Sequence, residues 1–430
     1  MSLFKRVQSR FSPATATDPA AVEEHIPFLV SWNLTKRCNL KCAHCYLDAA
    51  ELEGADETTT DEAKGFIDEV ASINPQAMLI MTGGEPLLRP DFPALSEYAS
   101  KRGLTVVVGT NGTLLDDSTV EMLVRSGVQG VGLSLDSATP VFHDRFRGVA
   151  GAWQKTMDGI EALKRRSLPF QLQLTVTREN RGDIPALIEF AAQNGAKAVN
   201  IFFLVCTGRG QNMTDLTPEE YEATLKYLVE AEAVFEGRVM VRARCAPHFL
   251  RVVSSLNPES AVMKGQTSGC IAGTGYMRIS PEGDVTPCPY IPASQGDANL
   301  KRKRLKDIWY NHPVFKSLRA PSYNGRCKDC EFNDVCGGCR ARALSSTGDL
   351  MGEDPWCTHE PDGKKPVAAP HAHGAACKPV WTDDAKERLG KVPVFLRGMV
   401  KKGVERYAAA KGIKEITPEV MSELRKRTGR

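Results

Sequence analysis

Three thiols in Cys38-Asn-Leu-Lys-Cys42-Ala-His-Cys45 stand close enough along the chain to hold three corners of a four-iron cluster. No fourth cysteine follows nearby. A cluster bound here keeps one iron without a protein ligand, and an open coordination position is where chemistry can occur. His44 is not read as the missing ligand, because it would fill that position. Its ring either faces solvent or packs over a planar ligand beside the cluster. A second set of cysteines lies far downstream at Cys270, Cys288, Cys327, Cys330, Cys336, Cys339 and Cys357, with two CxxC pairs among them. By spacing alone this set fits zinc and iron–sulfur sites equally well.

The chain carries 13 cysteines in 430 residues, below the density of a small disulfide scaffold. The polar, basic start MSLFKRVQSRFSP has no apolar core of the kind a secretory signal needs, and no run approaches the roughly 18 apolar residues of a membrane span. An odd cysteine count without an export signal favours metal binding in the cytoplasm. The net charge is +3, yet residues 381–430 hold 13 Lys/Arg against 7 Asp/Glu. That basic tail lacks interleaved aromatics, so a nucleic-acid partner is not expected.

The elements that must position these residues follow from apolar patterning. Strands are expected at 28–32, 77–81, 104–108, 130–135, 170–176 and 198–203, with helices at 60–73, 91–101, 116–126, 151–166 and 183–194. Such βα repetition implies a parallel sheet covered by helices, either closed to eight strands or left as an open six-stranded arc. The strand ends are polar and Gly-rich: Cys38–Cys45, Thr82-Gly83-Gly84-Glu85-Pro86, Gly109-Thr110-Asn111-Gly112, Ser134-Leu135-Asp136 and Thr175-Val176-Thr177. Loops at the C-terminal ends of parallel strands converge on one mouth, and the paired glycines free the backbone to approach a ligand. Residues 265–360 have few apolar runs, so metal is expected to help hold them together. Within them, Met277–Asp284 reads as strand, turn and strand return. The division is a 1–25 arm, a 26–240 core, a 241–360 cysteine-rich domain, a 361–380 linker and a 381–430 helical module. The linker's His371, His373 and Cys377 are either incidental or metal-binding. Thr417-Pro418 is expected to start a last helix.

CNLKCAHCY, MTGGEP, TNG and SLD, in this order at successive strand ends, resemble the radical S-adenosylmethionine (SAM) superfamily over residues 26–240. The resemblance implies a partial (β/α)6 TIM-like barrel. It implies a [4Fe–4S] cluster on Cys38, Cys42 and Cys45, with SAM chelating the fourth iron. Gly83, Gly84 and Glu85 would position the methionine amino group, and Ser134 and Asp136 would lie near the ribose and methionine portions. His44 and Tyr46 would flank the nucleoside, with Asn111 near the cofactor. Electron transfer to SAM in such enzymes yields a 5′-deoxyadenosyl radical that abstracts a substrate hydrogen. The downstream cysteines are similar to the SPASM extension and its auxiliary [4Fe–4S] clusters. Carried over by order, Cys327, Cys330, Cys336 and Cys357 would bind one cluster, and Cys270, Cys288 and Cys339 would share another. Ile271–Tyr276 lacks the further cysteine often found there. The second cluster then takes an outside ligand (Cys245 or Cys206), keeps an open iron, or is smaller or missing. Residues from Trp381 onward resemble the small C-terminal module of the light-independent protochlorophyllide reductase B subunit. A helical cap or partner-docking unit is the alternative.

SWNLTKRCNLKCAHCY, MTGGEPLLRPDF and FFLVCTGRG further resemble the tetrapyrrole-modifying branch of alternative haem and haem d1 synthesis. That resemblance implies an iron-porphyrinoid substrate and a low-potential electron donor such as flavodoxin or ferredoxin. Oxidative decarboxylation of iron-coproporphyrin III to haem is preferred over the haem d1 reaction on didecarboxysirohaem. Arg147, Arg209, Arg242 and Arg244 are candidate partners for substrate carboxylates, and His248 is a candidate to face the substrate iron. The rivals are a SPASM peptide-modifying maturase and a non-catalytic iron–sulfur electron-transfer protein. The first often has an N-terminal peptide-binding winged-helix domain, for which residues 1–25 are too few. The second has no use for the GGEP loop or an open iron.

Overall fold

Runs rich in Val, Ile, Leu and Thr become strands here because such side chains fit a pleated surface packed against helices. In the computed structural model they are β1 (Leu29–Asn33), β2 (Met78–Thr82), β3 (Thr105–Thr110), β4 (Gly130–Ser134), β5 (Phe170–Val176) and β6 (Ala198–Phe203). The structure describes residues 25–52, 54–213, 216–258, 260, 263, 269–292, 297–363, 366–367, 380–390, 404–405, 407–408, 413 and 415–428. Each strand pairs in parallel with the next, from Leu29↔Met78 to Val176↔Phe203. The helices Thr60–Ile73, Phe92–Lys101, Asp117–Arg125, Ala152–Arg165 and Ile184–Gln193 lie within a residue of the expected bounds. Helices Pro140–Arg147 and Pro218–Val234 join them. Two helix starts are fixed by capping boxes, Thr59 with Glu62 and Thr217 with Glu220, which satisfy backbone N–H groups that a helix leaves open.

Three more strands extend the sheet. β7 (Met240–Arg244) pairs in parallel with β6, as Asn200↔Arg242 and Phe202↔Arg244. β8 (Tyr276–Ile279) pairs in parallel with β1 on its free side, and β9 (Val285–Thr286) returns antiparallel to β8. The expected hairpin is therefore present, but it continues the main sheet. The order is β7-β6-β5-β4-β3-β2-β1-β8-β9, a partial barrel that does not pair β7 with β9. The expected division at 240/241 falls inside β7, and the chain to Pro370 forms one compact unit.

Alternation along the strands separates two faces. Val30, Trp32, Leu79, Met81, Val106, Val108, Leu172 and Ile201 face the helices in one buried core with Phe66, Ile67, Leu95, Leu187 and Leu225. The opposite, concave face is polar. Gln173 and Gln171 approach Gly132, Thr82 packs against Gly109, and Asn200 donates to Gln171 at 3.0 Å. Helices Leu305–Asn311 and Pro313–Arg319 join the main core through Ile308, Trp309 and Phe315. Beyond them, residues 320–360 lean on a much smaller buried set with Val205, Ile291, Leu318 and Leu350, to which Cys339 itself belongs. This thin core agrees with the expectation that metal supports the segment.

The unit His371–Arg430 has its own core of Trp381, Ala385, Val404, Ala408, Ile416 and Met421. A short parallel pair, Val380–Trp381 with Glu415–Ile416, precedes the helices Asp383–Gly390 and Pro418–Thr428. The last helix begins at Pro418, as Thr417-Pro418 foretold. His371, His373 and Cys377 lie outside the described residues, as does the arm up to residue 24. Among the described residues, no helix is long and apolar enough to cross a membrane. Because each unit has its own core, truncation after Pro370 is expected to leave the main unfolding transition at the same temperature; a lowered or broadened transition by calorimetry would show dependence on the last 60 residues.

Candidate metal centres

The loop after β1 carries three thiols without helix or strand, so neighbours must bond its backbone. Cys38 N–H donates to Ala50 O at 2.6 Å, Lys41 N–H to Arg147 O at 3.0 Å and Ala43 N–H to Phe146 O at 3.1 Å. The Arg209 guanidinium donates to Cys42 O at 3.0 Å and Ala49 O at 2.7 Å, and the Arg209 backbone N–H donates to Cys45 O at 3.0 Å. Gly208 has φ +55°, and a Cβ there would lie 2.6 Å from Cys45 O, so this approach requires glycine. Cys38 and Cys42 are buried; burial pushes the Cys38 thiol up to about 12 and raises Cys42, against the pull of Arg147. These sulfurs therefore stay protonated until a cation takes the proton's place, as a cluster's irons do.

The strand-end loops brace this loop. Gly84 N–H donates to Thr35 O and Glu85 N–H to Arg37 O, both at 2.8 Å. A Cβ at Gly84 would stand 2.2 Å from Arg37 O. The paired glycines thus serve close approach to the cysteine loop's own backbone. Glu85 is wholly buried, and its carboxylate accepts from the Thr110 hydroxyl at 2.8 and 2.9 Å, Asn111 N–H at 2.9 Å and Leu87 N–H at 3.2 Å. Burial nonetheless raises it to about 7. Its carboxylate is engaged inside the protein. Asn111 donates to Asn39 at 2.8 Å, tying the TNG turn to the cysteine loop. Ser134 stands at the end of β4, opposite Gln173 in the sheet register. Asp136 is buried and bonds Arg147 at 2.6 Å and Thr175 N–H at 2.9 Å. Burial would raise its carboxyl, but the Arg147 charge, together with the neighbouring histidines and the Thr175 N–H, holds it below the usual range.

The half-buried His44 ring stacks on Phe146 at 4.3 Å, and its Nδ1 is out of water without a partner. Burial and the nearby Arg147 lower it to about 3, so the ring is neutral. Tyr46 accepts from Asn33 at 2.9 Å and meets the Tyr290 edge at 5.4 Å. That tyrosine wall, which brings the cysteine-rich segment to the mouth, had no local sequence signal.

The arginines separate into two groups. Arg147 and Arg209, expected to meet substrate, have partners within the protein. Arg147 bonds Asp136 and lies 3.7 Å from Cys42 Sγ, while Arg209 holds loop carbonyls. Arg242 and Arg244 sit on the concave side of β7. Arg244 donates to Asn200 at 2.9 Å and Arg242 only to Met240 Sδ at 3.0 Å. Among the described residues neither has a carboxylate partner, and burial lowers Arg244 to about 10. Arg278 on β8, overlooked in the sequence, joins this face by donating to Asn33 at 2.5 Å. His248 does not face the mouth. It is buried, bonds the Tyr221 hydroxyl at 2.9 Å and lies 3.8 Å from Asp354.

The downstream cysteines form two groups. Cys327 lies close enough to act on Cys330 and Cys357, and Cys357 on Cys336. Arg251 places its positive charge against Cys330, Cys336 and Cys357. Cys270, Cys288 and Cys339 form the other group. Zinc with bonds near 2.3 Å would draw its sulfurs to about 3.8 Å from one another. Among the described residues, no three of these sulfurs lie within 4.8 Å of each other, so none of the sets has the closeness of a thiolate zinc site. In Cys38, Cys270, Cys288, Cys330, Cys336 and Cys357, the sulfur accepts an N–H two residues on. Such bonds offset thiolate charge and tune cluster potential. The residues fit the clusters.

Residues 32–191 match the Radical SAM superfamily, 270–331 the SPASM iron–sulfur cluster-binding domain, and 381–425 the proto-chlorophyllide reductase 57 kD subunit. The chain is 42% identical to an AdoMet-dependent heme synthase of Methanosarcina barkeri, covering 79% of this chain and 98% of the relative. It is 31% identical to a pre-heme d1 synthase of Dinoroseobacter shibae, covering 76% and 85%. In fold it is similar to Streptococcus suis SuiB bound to S-adenosylmethionine, with TM-score 0.65 and 18% identity over 83% of this chain and 87% of that one.

Glu85 makes a pH signature testable. A carboxyl raised from 4.5 to about 7 favours the fold while protonated, and that contribution is lost as pH rises through this window. Glu85→Gln is therefore expected to gain melting temperature relative to the parent between pH 4.5 and 7 and to level off above; a pH-independent difference would contradict the burial argument.

Proposed function

The chain belongs to the radical SAM superfamily, with SAM and [4Fe–4S] clusters as its cofactors, and on that basis we propose that it modifies propionate side chains of an iron porphyrinoid. The reaction favoured is oxidative decarboxylation of iron-coproporphyrin III to haem. Each of two propionates loses carbon dioxide, a hydrogen atom and an electron, and a vinyl group remains. The likeness to the heme synthase over nearly its whole length supports this choice over the haem d1 reaction. The observation that carries the substrate class is the adjacent pair Arg242 and Arg244, inward on β7 and without a carboxylate partner among the described residues.

Cys38, Cys42 and Cys45 are the proposed holders of the radical-generating cluster, with one iron left for SAM. When bound, the reduced cluster and SAM supply a 5′-deoxyadenosyl radical that takes a hydrogen from the substrate. The chain's own part is to bind, aim and shield. The GGEP backbone, Asn111, Ser134 and Asp136 surround the proposed SAM position, with His44 and Tyr46 on its nucleoside side. Arg147 keeps positive charge beside Cys42 while its Asp136 bond fixes its direction. Arg242 and Arg244 would pair with propionates, because a guanidinium matches a carboxylate bidentately. The Cys327, Cys330, Cys336 and Cys357 set and the Cys270, Cys288 and Cys339 set would hold auxiliary clusters. A low-potential flavodoxin or ferredoxin as electron donor and a cytoplasmic setting complete the reading.

Anaerobically reconstituted protein with SAM and reductant is expected to convert iron-coproporphyrin III. Mass spectrometry should show loss of carbon dioxide and two hydrogens per side chain, with 5′-deoxyadenosine formed, and Cys42→Ala should abolish both. Turnover only of didecarboxysirohaem would move the reading to the haem d1 pathway; turnover of neither, with modification of a small peptide, would overturn it. Arg244→Gln is expected to raise KM for the porphyrinoid about tenfold while SAM cleavage without substrate stays near the parent rate. An unchanged KM would remove Arg244 from the carboxylate site.

A further inference from the structure

We infer that Cys245 is the fourth protein ligand of the site formed by Cys270, Cys288 and Cys339, closing it with four thiolates. The inference rests on reading these cysteines as cluster ligands. In sequence, Cys245 belongs to the core's seventh strand unit and stands apart from the cysteine-rich segment. The fold removes that separation. Within the group of four, every pairing of sulfurs is close enough for one thiolate charge to act on the other. Cys245 and Cys288 also pack on the same small buried cluster that contains Cys339.

The backbone at Cys245 is the second observation. It has φ +56°, left-handed space that a residue with a Cβ enters only at a steric cost. Among the described residues the other such non-glycine positions are Asp48, Asp56 and Ser167; two are aspartates, a type that tolerates this region. The turn comes directly after β7 and carries the thiol toward its three partners. Strain of this kind persists where surrounding structure over-determines it, and the surroundings are visible. Buried Arg342 donates to Cys245 O at 3.0 Å and to the Asp354 carboxylate at 3.2 Å. Asp354 in turn accepts Cys339 N–H at 2.7 Å. One buried ion pair therefore sets the peptide groups of two of the four cysteines, Cys245 and Cys339. The Arg342 guanidinium also lies 4.3 Å over the Trp356 ring, which fixes its plane.

A site with four thiolates has no iron free to bind substrate. Its cluster is limited to electron transfer or to supporting the fold, and the open iron of the chain is the one at Cys38, Cys42 and Cys45.

The test uses the full chain with Cys38, Cys42 and Cys45 all replaced by Ala, so that only auxiliary clusters remain. Iron, sulfide and zinc are counted after anaerobic reconstitution, and dithionite-reduced samples are examined by electron paramagnetic resonance. Adding Cys245→Ala is expected to remove one cluster's worth of iron and sulfide or to yield a three-iron signal. Adding Cys245→Ser, which keeps an oxygen ligand in place, is expected to retain the iron but shift one signal. Adding Cys206→Ala should change neither. Iron and spectra unaltered by both Cys245 substitutions would overturn the inference, as would loss of the cluster on Cys206→Ala. Zinc without iron in the parent variant would instead overturn the cluster reading beneath it.

Discussion

An irregular loop that must present three thiols, two of them buried, satisfies only part of its backbone by itself, and much of the molecule is arranged around that constraint. Between β1 and Tyr46, hydrogen bonds come from the GGEP turn, the end of helix Pro140–Arg147 and the segment around Arg209. Each supplier belongs to a different βα unit. Their convergence at the C-terminal ends of parallel strands is what allows a loop without secondary structure to stay buried. Glycine at 84 and 208 follows from the same need, because each backbone runs against a loop carbonyl at a distance that excludes a Cβ.

Both cysteine regions use the same electrostatic device. At the first, Arg147 pairs with buried Asp136 and touches Cys42. At the second, Arg342 pairs with buried Asp354, and between them they bond the Cys245 and Cys339 peptides. A buried pair of this kind contributes little net stability by itself, since desolvation offsets much of the attraction. Its use here is directional: a guanidinium held by an aspartate offers its remaining donors at fixed angles. The two sites also share one sheet, because β8 from the cysteine-rich segment lies directly beside β1.

Much of the fold was legible in the chain. Six strands and five helices stand where apolar patterning placed them, since the strand face that packs on the helices leaves a regular apolar period. β7 escaped because its inward residues are Arg242 and Arg244, which break the apolar run a buried strand normally shows. The attachment of β8 to β1 left no local signal, being a pairing across about 250 residues. At the site, the cysteines and glycines were legible as types and spacings, but the work of each polar side chain was not. Arg147 and Arg209, read by type as candidate substrate partners, also hold Asp136 and the loop's carbonyls. Glu85, expected beside the methionine amino group, also accepts from Thr110 and Asn111. Long side chains reach partners that sequence distance does not limit; Arg209 meets Cys42 across 167 positions.

By itself, the sequence determined the chemistry available: three thiols on one loop, a Gly-Gly-Glu turn one unit later, and a second store of cysteines downstream. Those relations are covalent and local, so spacing carries them. Tertiary structure decided which thiols share a site, which arginines remain open to an anion and which are bound to the loop. Those partners sit on separate strands and helices, and only sheet register and core packing bring them together.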